Sequence, residues 1–178
     1  RLADIPYQMV KSMPTKAPKG KLPFIEDGNQ SIADSDLIIQ HLKQAYGDKL
    51  DADLTPSEKA ISLSMQRLLE DHLFWITMYT RWHYTEENWQ VNKKAIFNVF
   101  PPLIRDVIAA VYRVLIRRQI HGHGIGRHSH EEIFKLGRHD IDALSDFLGK
   151  KPYFMGQKPT GLDATAYGFL VNTLICPI

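Results

Sequence analysis

A chain of 178 residues, 44% of them hydrophobic, can bury a real core and has room for one domain or two small ones. Its 22 basic and 20 acidic residues leave a formal charge of +2, which gives no reason to expect nucleic acid or an anionic membrane as partner. The single cysteine, Cys176, excludes an intramolecular disulfide framework and agrees with a reducing cytosol, and no apolar run is long enough to span a bilayer.

The first residue is Arg rather than Met, so the start reads as processed, trimmed or left out. Tyr7-Gln8-Met9-Val10 alternates weakly, as a short strand does. Pro18 to Tyr46 reads as strand, hairpin turn, strand and helix, with the turn at Glu26-Asp27-Gly28-Asn29 and the helix opening at Asp34-Ser35. Pro23 offers the sheet no donor, so it marks an edge or bend, and a cis Leu22-Pro23 bond fits. Ile38, Leu42, Ala45 and Tyr46 recur at helical spacing, widened by Leu37 and Ile39, which predicts one broad buried face ended by Gly47. Asp34-Ser35 reads as an ordinary N-cap, or as the donor-rich end of a helix that takes a carboxylate or phosphate.

Asp48 to Leu54 is polar and aperiodic, a linker. Thr55-Pro56-Ser57-Glu58 then starts a helix, with Thr as N-cap, Pro at the first position and Glu reaching back. Ile61, Met65, Leu68, Leu69, Ile76 and Tyr79 carry that helix to about Arg81. Its second half is crowded with Phe74, Trp75, Met78, Tyr79 and Trp82, which reads first as core or subunit interface and second as a ligand pocket. Trp89 to Arg118 is helical with a restart at Pro101-Pro102, after which Ile104, Val107, Ile108, Val111 and Leu115 predict a buried stripe, and Arg113, Arg117 and Arg118 a solvated basic face.

Histidines 121, 123, 128 and 130, interleaved with glycine, form the most unusual composition in the chain. Imidazoles so placed are candidate ligands for a transition metal, but there is no neighbouring cysteine and no HExxH spacing, so a flexible connection between helices is the first reading and no metal is expected. Ser129-His130-Glu131-Glu132 is a capping box for a helix ended by Gly149. Thr160-Gly161-Leu162-Asp163 is another, with Thr160 and Asp163 as structural capping residues, and the helix behind it is apolar nearly all round, as a central buried helix is.

Two phrases carry a family resemblance. Gly20-Lys21-Leu22-Pro23 with Asp34-Ser35, and Tyr153-Phe154-Met155-Gly156 leading to Thr160-Gly161-Leu162-Asp163, resemble the glutathione S-transferase superfamily, most closely the branch related to failed-axon-connections and metaxin proteins. The resemblance implies an α+β fold: a partial thioredoxin-like domain over residues 1–47, a linker over 48–54 and an all-helical domain over 55–178. It implies glutathione as co-substrate, bound through Leu22, Pro23, Asp34 and Ser35, with the Leu22 backbone pairing with the cysteinyl part and Ser35 holding the γ-glutamyl carboxylate. Trp75 and Tyr79 become candidates for the hydrophobic electrophile. In that family the group that engages sulfur lies on a strand and helix that would precede Arg1, so the catalytic residue is unassigned and the chain reads as cut short at both ends. The family also implies a cytoplasmic homodimer that conjugates glutathione to an electrophile or uses it as reductant. The alternatives are a non-catalytic scaffold of the same fold and, more weakly, metal binding by the histidine-rich loop.

Overall fold

A computed structural model describes residues 2–175 and divides the chain into two compact units, residues 1–55 and 56–178. The first unit is built on an antiparallel hairpin of β1 (Phe24–Asp27) and β2 (Gln30–Ala33), with Phe24 opposite Ala33 and Asp27 opposite Gln30. A two-residue turn joins them, and Gly28 there has φ 59°, a conformation that costs glycine nothing for want of a Cβ. Helix α1 (Ser35–Tyr46) follows directly and stops at Gly47, φ 83°.

Of the broad stripe expected on α1, only Ile38 is buried; Leu37, Ile39 and Tyr46 are exposed. Two strands of four residues cover one line of a helix, not a face. Polar ties add to the packing: His41 Nε2 lies 2.7 Å from Asp27 Oδ2, and the Tyr46 hydroxyl donates to Asp27 Oδ1 at 2.8 Å. Both bonds hold the Asp27 carboxyl below its ordinary pKa, and the same bond raises that of Tyr46. The stretch after α1 is likewise anchored. Lys43 Nζ lies 2.5 Å from Asp51 and 3.3 Å from Asp48, whose carboxylate also accepts the Asp51 N–H. Tyr7–Val10 forms no strand: Met9 and Val10 are largely exposed, and no partner strand lies beside them among the described residues.

The second unit is helical. α2 (Pro56–Arg67), a π-helical segment Leu68–Leu73, α3 (Phe74–Tyr79) and a second π-helical segment Thr80–Tyr84 run on as one rod, a turn beyond the expected end. Extended backbone at Thr85 ends it, and the Thr85 hydroxyl accepts the Asn88 N–H at the start of α4 (Glu86–Phe97). α5 (Pro102–His123) begins at the proline pair, α6 (His130–Leu148) at the Ser129 box and α7 (Gly161–Leu170) at Thr160, with Val171–Ile175 continuing in π-helical form.

Two apolar clusters hold this unit. One gathers Ile76, Tyr79, Trp82, Trp89, Ile120 and Ile133; the other Leu69, Leu73, Leu144, Phe154, Leu162 and Ala166. Each fully buried aliphatic chain among them contributes about 1.5–3 kcal/mol.

Three expectations change here. The stripe on α5 faces the other way: Ile104, Val107, Val111 and Leu115 are exposed, while Ala109 and Ile120 are buried. Those two lie on the opposite side of the helix, where Trp82 and Phe97 are packed. α7 is not buried all round: Leu162 and Ala166, one turn apart, face the core and Tyr167 is 73% exposed. The histidine-rich stretch is less of a loop than its composition implies, since α5 continues through Gly122 to His123 and a 3-10 turn at Ile125–Arg127 makes most of the link. Cys176 lies outside the described residues.

Candidate functional site

The hairpin register decides what meets what in the first unit. The ladder ends at Phe24 opposite Ala33, so Pro23 precedes one strand and Asp34 follows the other, with Leu22 and Ser35 one residue further out. Both parts of the first phrase, Gly20–Pro23 and Asp34-Ser35, therefore adjoin the open end of the hairpin. Leu22, Pro23, Asp34 and Ser35 are all exposed there, and the Leu22–Pro23 peptide bond is cis. Leu22 precedes the paired residues and its backbone makes no hydrogen bond among the described residues.

Asp34 has φ 91° and ψ 125°, a region that L-residues rarely adopt and that stores strain of order 1–3 kcal/mol. Its Oδ1 accepts the N–H groups of Asp36 at 3.1 Å and Leu37 at 3.4 Å, so it is the N-cap of α1. Its second oxygen and the Ser35 hydroxyl make no hydrogen bond among the described residues. The end of α1 thus presents an uncommitted hydroxyl and a free first amide beside an uncommitted carboxylate oxygen, a pair of opposite polarities suited to a zwitterion.

The hydrophobic candidates have different surroundings. Trp75 is half-buried and stacks on His123, ring centroids 4.8 Å apart. Tyr79 is buried, stacks on His83, and shares a hydrogen bond between its hydroxyl and His130 Nδ1. Burial lowers the pKa of His83, and the neighbouring Arg117 and Arg113 lower it further. Thr160 and Asp163 act on the backbone: Asp163 Oδ2 accepts both the Thr160 N–H and its hydroxyl at 2.8 Å, and Oδ1 accepts the Phe154 N–H at 2.9 Å.

The histidines of the α5–α6 link have separate partners. His123 Nε2 meets the Asp71 carbonyl at 3.1 Å, His128 lies 3.5 Å from Glu132, and His130 meets Tyr79. Among the described residues, no three of His, Cys, Asp or Glu converge in a way that could hold a metal ion. One pair that local reasoning missed is His72 and Asp140, 2.5 Å apart, with Asp140 buried; 68 residues separate them, and only tertiary packing brings them together.

Residues 1–88 match the glutathione S-transferase N-terminal domain, and residues 137–178 match the glutathione S-transferase C-terminal domain. The chain is 38% identical over 167 residues to isoprene-epoxide–glutathione S-transferase of Rhodococcus sp. (strain AD45), covering 92% of this chain and 69% of that protein. It is 34% identical over 181 residues to Failed axon connections of Drosophila melanogaster, covering 96% of this chain and 43% of that one. It is 27% identical over 158 residues to metaxin-2 of Homo sapiens, covering 89% of this chain and 60% of that one. No solved structure matches. With a transferase relative 38% identical over 92% of this chain and 69% of its own length, and matches to both family domains, the chain belongs to the glutathione S-transferase family.

Proposed function

We propose that this protein binds glutathione at the open end of the β1–β2 hairpin and acts as a transferase on a small hydrophobic electrophile. The observation that supports the reading is that the unpaired Leu22 backbone and the Asp34-Ser35 start of α1 flank the open end of the hairpin, beyond its last pair, Phe24 and Ala33. The γ-glutamyl end of glutathione bears a carboxylate and an ammonium. The carboxylate takes the Ser35 hydroxyl and the first amide of α1, favoured by the positive end of the helix, and the ammonium takes the free oxygen of Asp34. The cysteinyl main chain pairs with the N–H and C=O of Leu22 as an added strand residue would.

Held this way, the thiol reacts as thiolate, the competent nucleophile. With an epoxide, the class named for the Rhodococcus relative, the sulfur forms a C–S bond, the C–O bond breaks and the ring oxygen takes up a proton. In the helical unit, half-buried Trp75 is the candidate contact for an apolar electrophile, and Tyr79 is buried in the core. The family reading also makes the protein a cytoplasmic homodimer.

Thiol consumption with glutathione and a small epoxide tests the transferase step. Turnover above the uncatalysed rate, reduced in Ser35→Ala, is expected. A chain that binds glutathione but consumes none would favour the second reading, a non-catalytic module of the same fold, which the likeness to Failed axon connections and metaxin-2 supports.

A further inference from the structure

The second unit leaves a large apolar surface open on α5. Leu103 is 83% exposed, Val107 63%, and Ile104, Val111, Val114 and Leu115 about half. At 100° per residue these six fall within an arc of about 120°, opposite the buried Ala109 and Ile120, so they form one stripe along the helix. A continuous exposed stripe of this kind marks a contact surface rather than ordinary scatter.

Charge is concentrated on the same helix. Residues 56–178 contain 15 Lys and Arg against 12 Asp and Glu, and α5 alone contains four arginines and one aspartate, which accounts for the whole excess. Arg113 is committed to the Trp82 carbonyl, Glu86 and the face of Trp89, and Arg105 to Asp106. Arg117 and Arg118 make no hydrogen bond or ion pair among the described residues, and Arg118 shares a shallow depression with Ala110, Val111, Val114 and Leu115.

The occupant must accept an aliphatic strip and uncompensated cations together. A second copy of the chain fits poorly: antiparallel packing centred on Val111 sets Arg118, in the middle of the stripe, against the aliphatic Ile104 with no carboxylate to meet it, and parallel packing sets Arg118 against itself. A bound peptide needs a groove between elements, whereas this depression lies on one convex helix. No helix among the described residues is long and apolar enough to cross a membrane, so a lipid contact here is one of surface. We propose that the outward face of α5 docks on an anionic lipid bilayer, with Leu103, Val107, Val111 and Val114 in the acyl boundary and Arg117 and Arg118 at the lipid phosphates.

Sedimentation of the 178-residue chain with phosphatidylcholine vesicles, with and without phosphatidylserine, tests this. The chain is expected to pellet with the phosphatidylserine vesicles and to be released as salt rises. Arg117→Gln with Arg118→Gln should lower partitioning about thirtyfold, the equivalent of about 1 kcal/mol per arginine at an anionic surface. Val107→Glu with Val111→Glu, exposed changes whose folding circular dichroism checks, should abolish it. Failure of the folded wild type to bind, or equal partitioning of the arginine variant, overturns the proposal. So does self-association in ultracentrifugation that Val107→Glu removes while vesicles are not bound, since that assigns the face to a protein contact.

Discussion

Asp163 should be one of the most costly side chains to truncate in the helical unit. Its carboxylate accepts three hydrogen bonds, two from Thr160 and one from the Phe154 N–H, and both donor residues are almost fully buried. Asp163→Ala removes the cap, worth about 1 kcal/mol, and leaves a buried N–H and a buried hydroxyl unpaired, at about 1–3 kcal/mol each. Water reaching the half-buried position offsets part of this, so the net loss should be about 3 kcal/mol. For a chain of this length that lowers Tm by about 6–12 °C. Asp163→Asn keeps one acceptor and should lose about half as much. All three tryptophans, Trp75, Trp82 and Trp89, lie in the helical unit, so their fluorescence in a urea titration follows that unit. A loss below about 1 kcal/mol with an unchanged urea slope would refute the claim that this box joins the 150–158 connector to α7.

The His72–Asp140 contact gives a second stability test. His72→Ala strands the buried Asp140 carboxylate; broken buried pairs cost about 3–5 kcal/mol, and the partial exposure of His72 should reduce this to about 2 kcal/mol. The double variant with Asp140→Asn should lose less than the two singles summed, in thermal unfolding of all four proteins. His83 predicts a pH effect. Its folded pKa lies below the ordinary histidine value of about 6.5, so the unfolded chain binds the proton more tightly; its contribution is complete above that pH and is lost as pH falls through it towards the folded value. His83→Gln should flatten the fall in Tm on acidification through that range, and an unchanged slope would count against burial beside Arg117 and Arg113 as the cause.

Local chemistry made much of the fold legible. Gly28 in the turn, Gly47 and Gly149 at helix ends and the boxes at Ser129 and Thr160 act through their immediate neighbours, and each lies where its residue type demands. Exposure was harder to read, because periodicity identifies an apolar stripe without saying what covers it. The stripe on α5 and the outer side of α7 are apolar yet open, while Trp82 and Phe97 pack on the opposite side of α5. Tyr79 with His130 and His72 with Asp140 join residues 51 and 68 positions apart, beyond any local pattern. At the candidate site the residue types were readable, but the positive φ of Asp34 and the ladder that ends at Phe24 and Ala33 came from the structure.

Calorimetric titration of glutathione into the 178-residue chain, beside Ser35→Ala, tests the central claim most directly. Saturable binding by the wild type is expected, weakened about tenfold to a hundredfold in the variant by loss of one hydrogen bond to a charged group. A folded wild type that gives no binding heat, or a variant that binds equally well, would contradict a glutathione site at the start of α1.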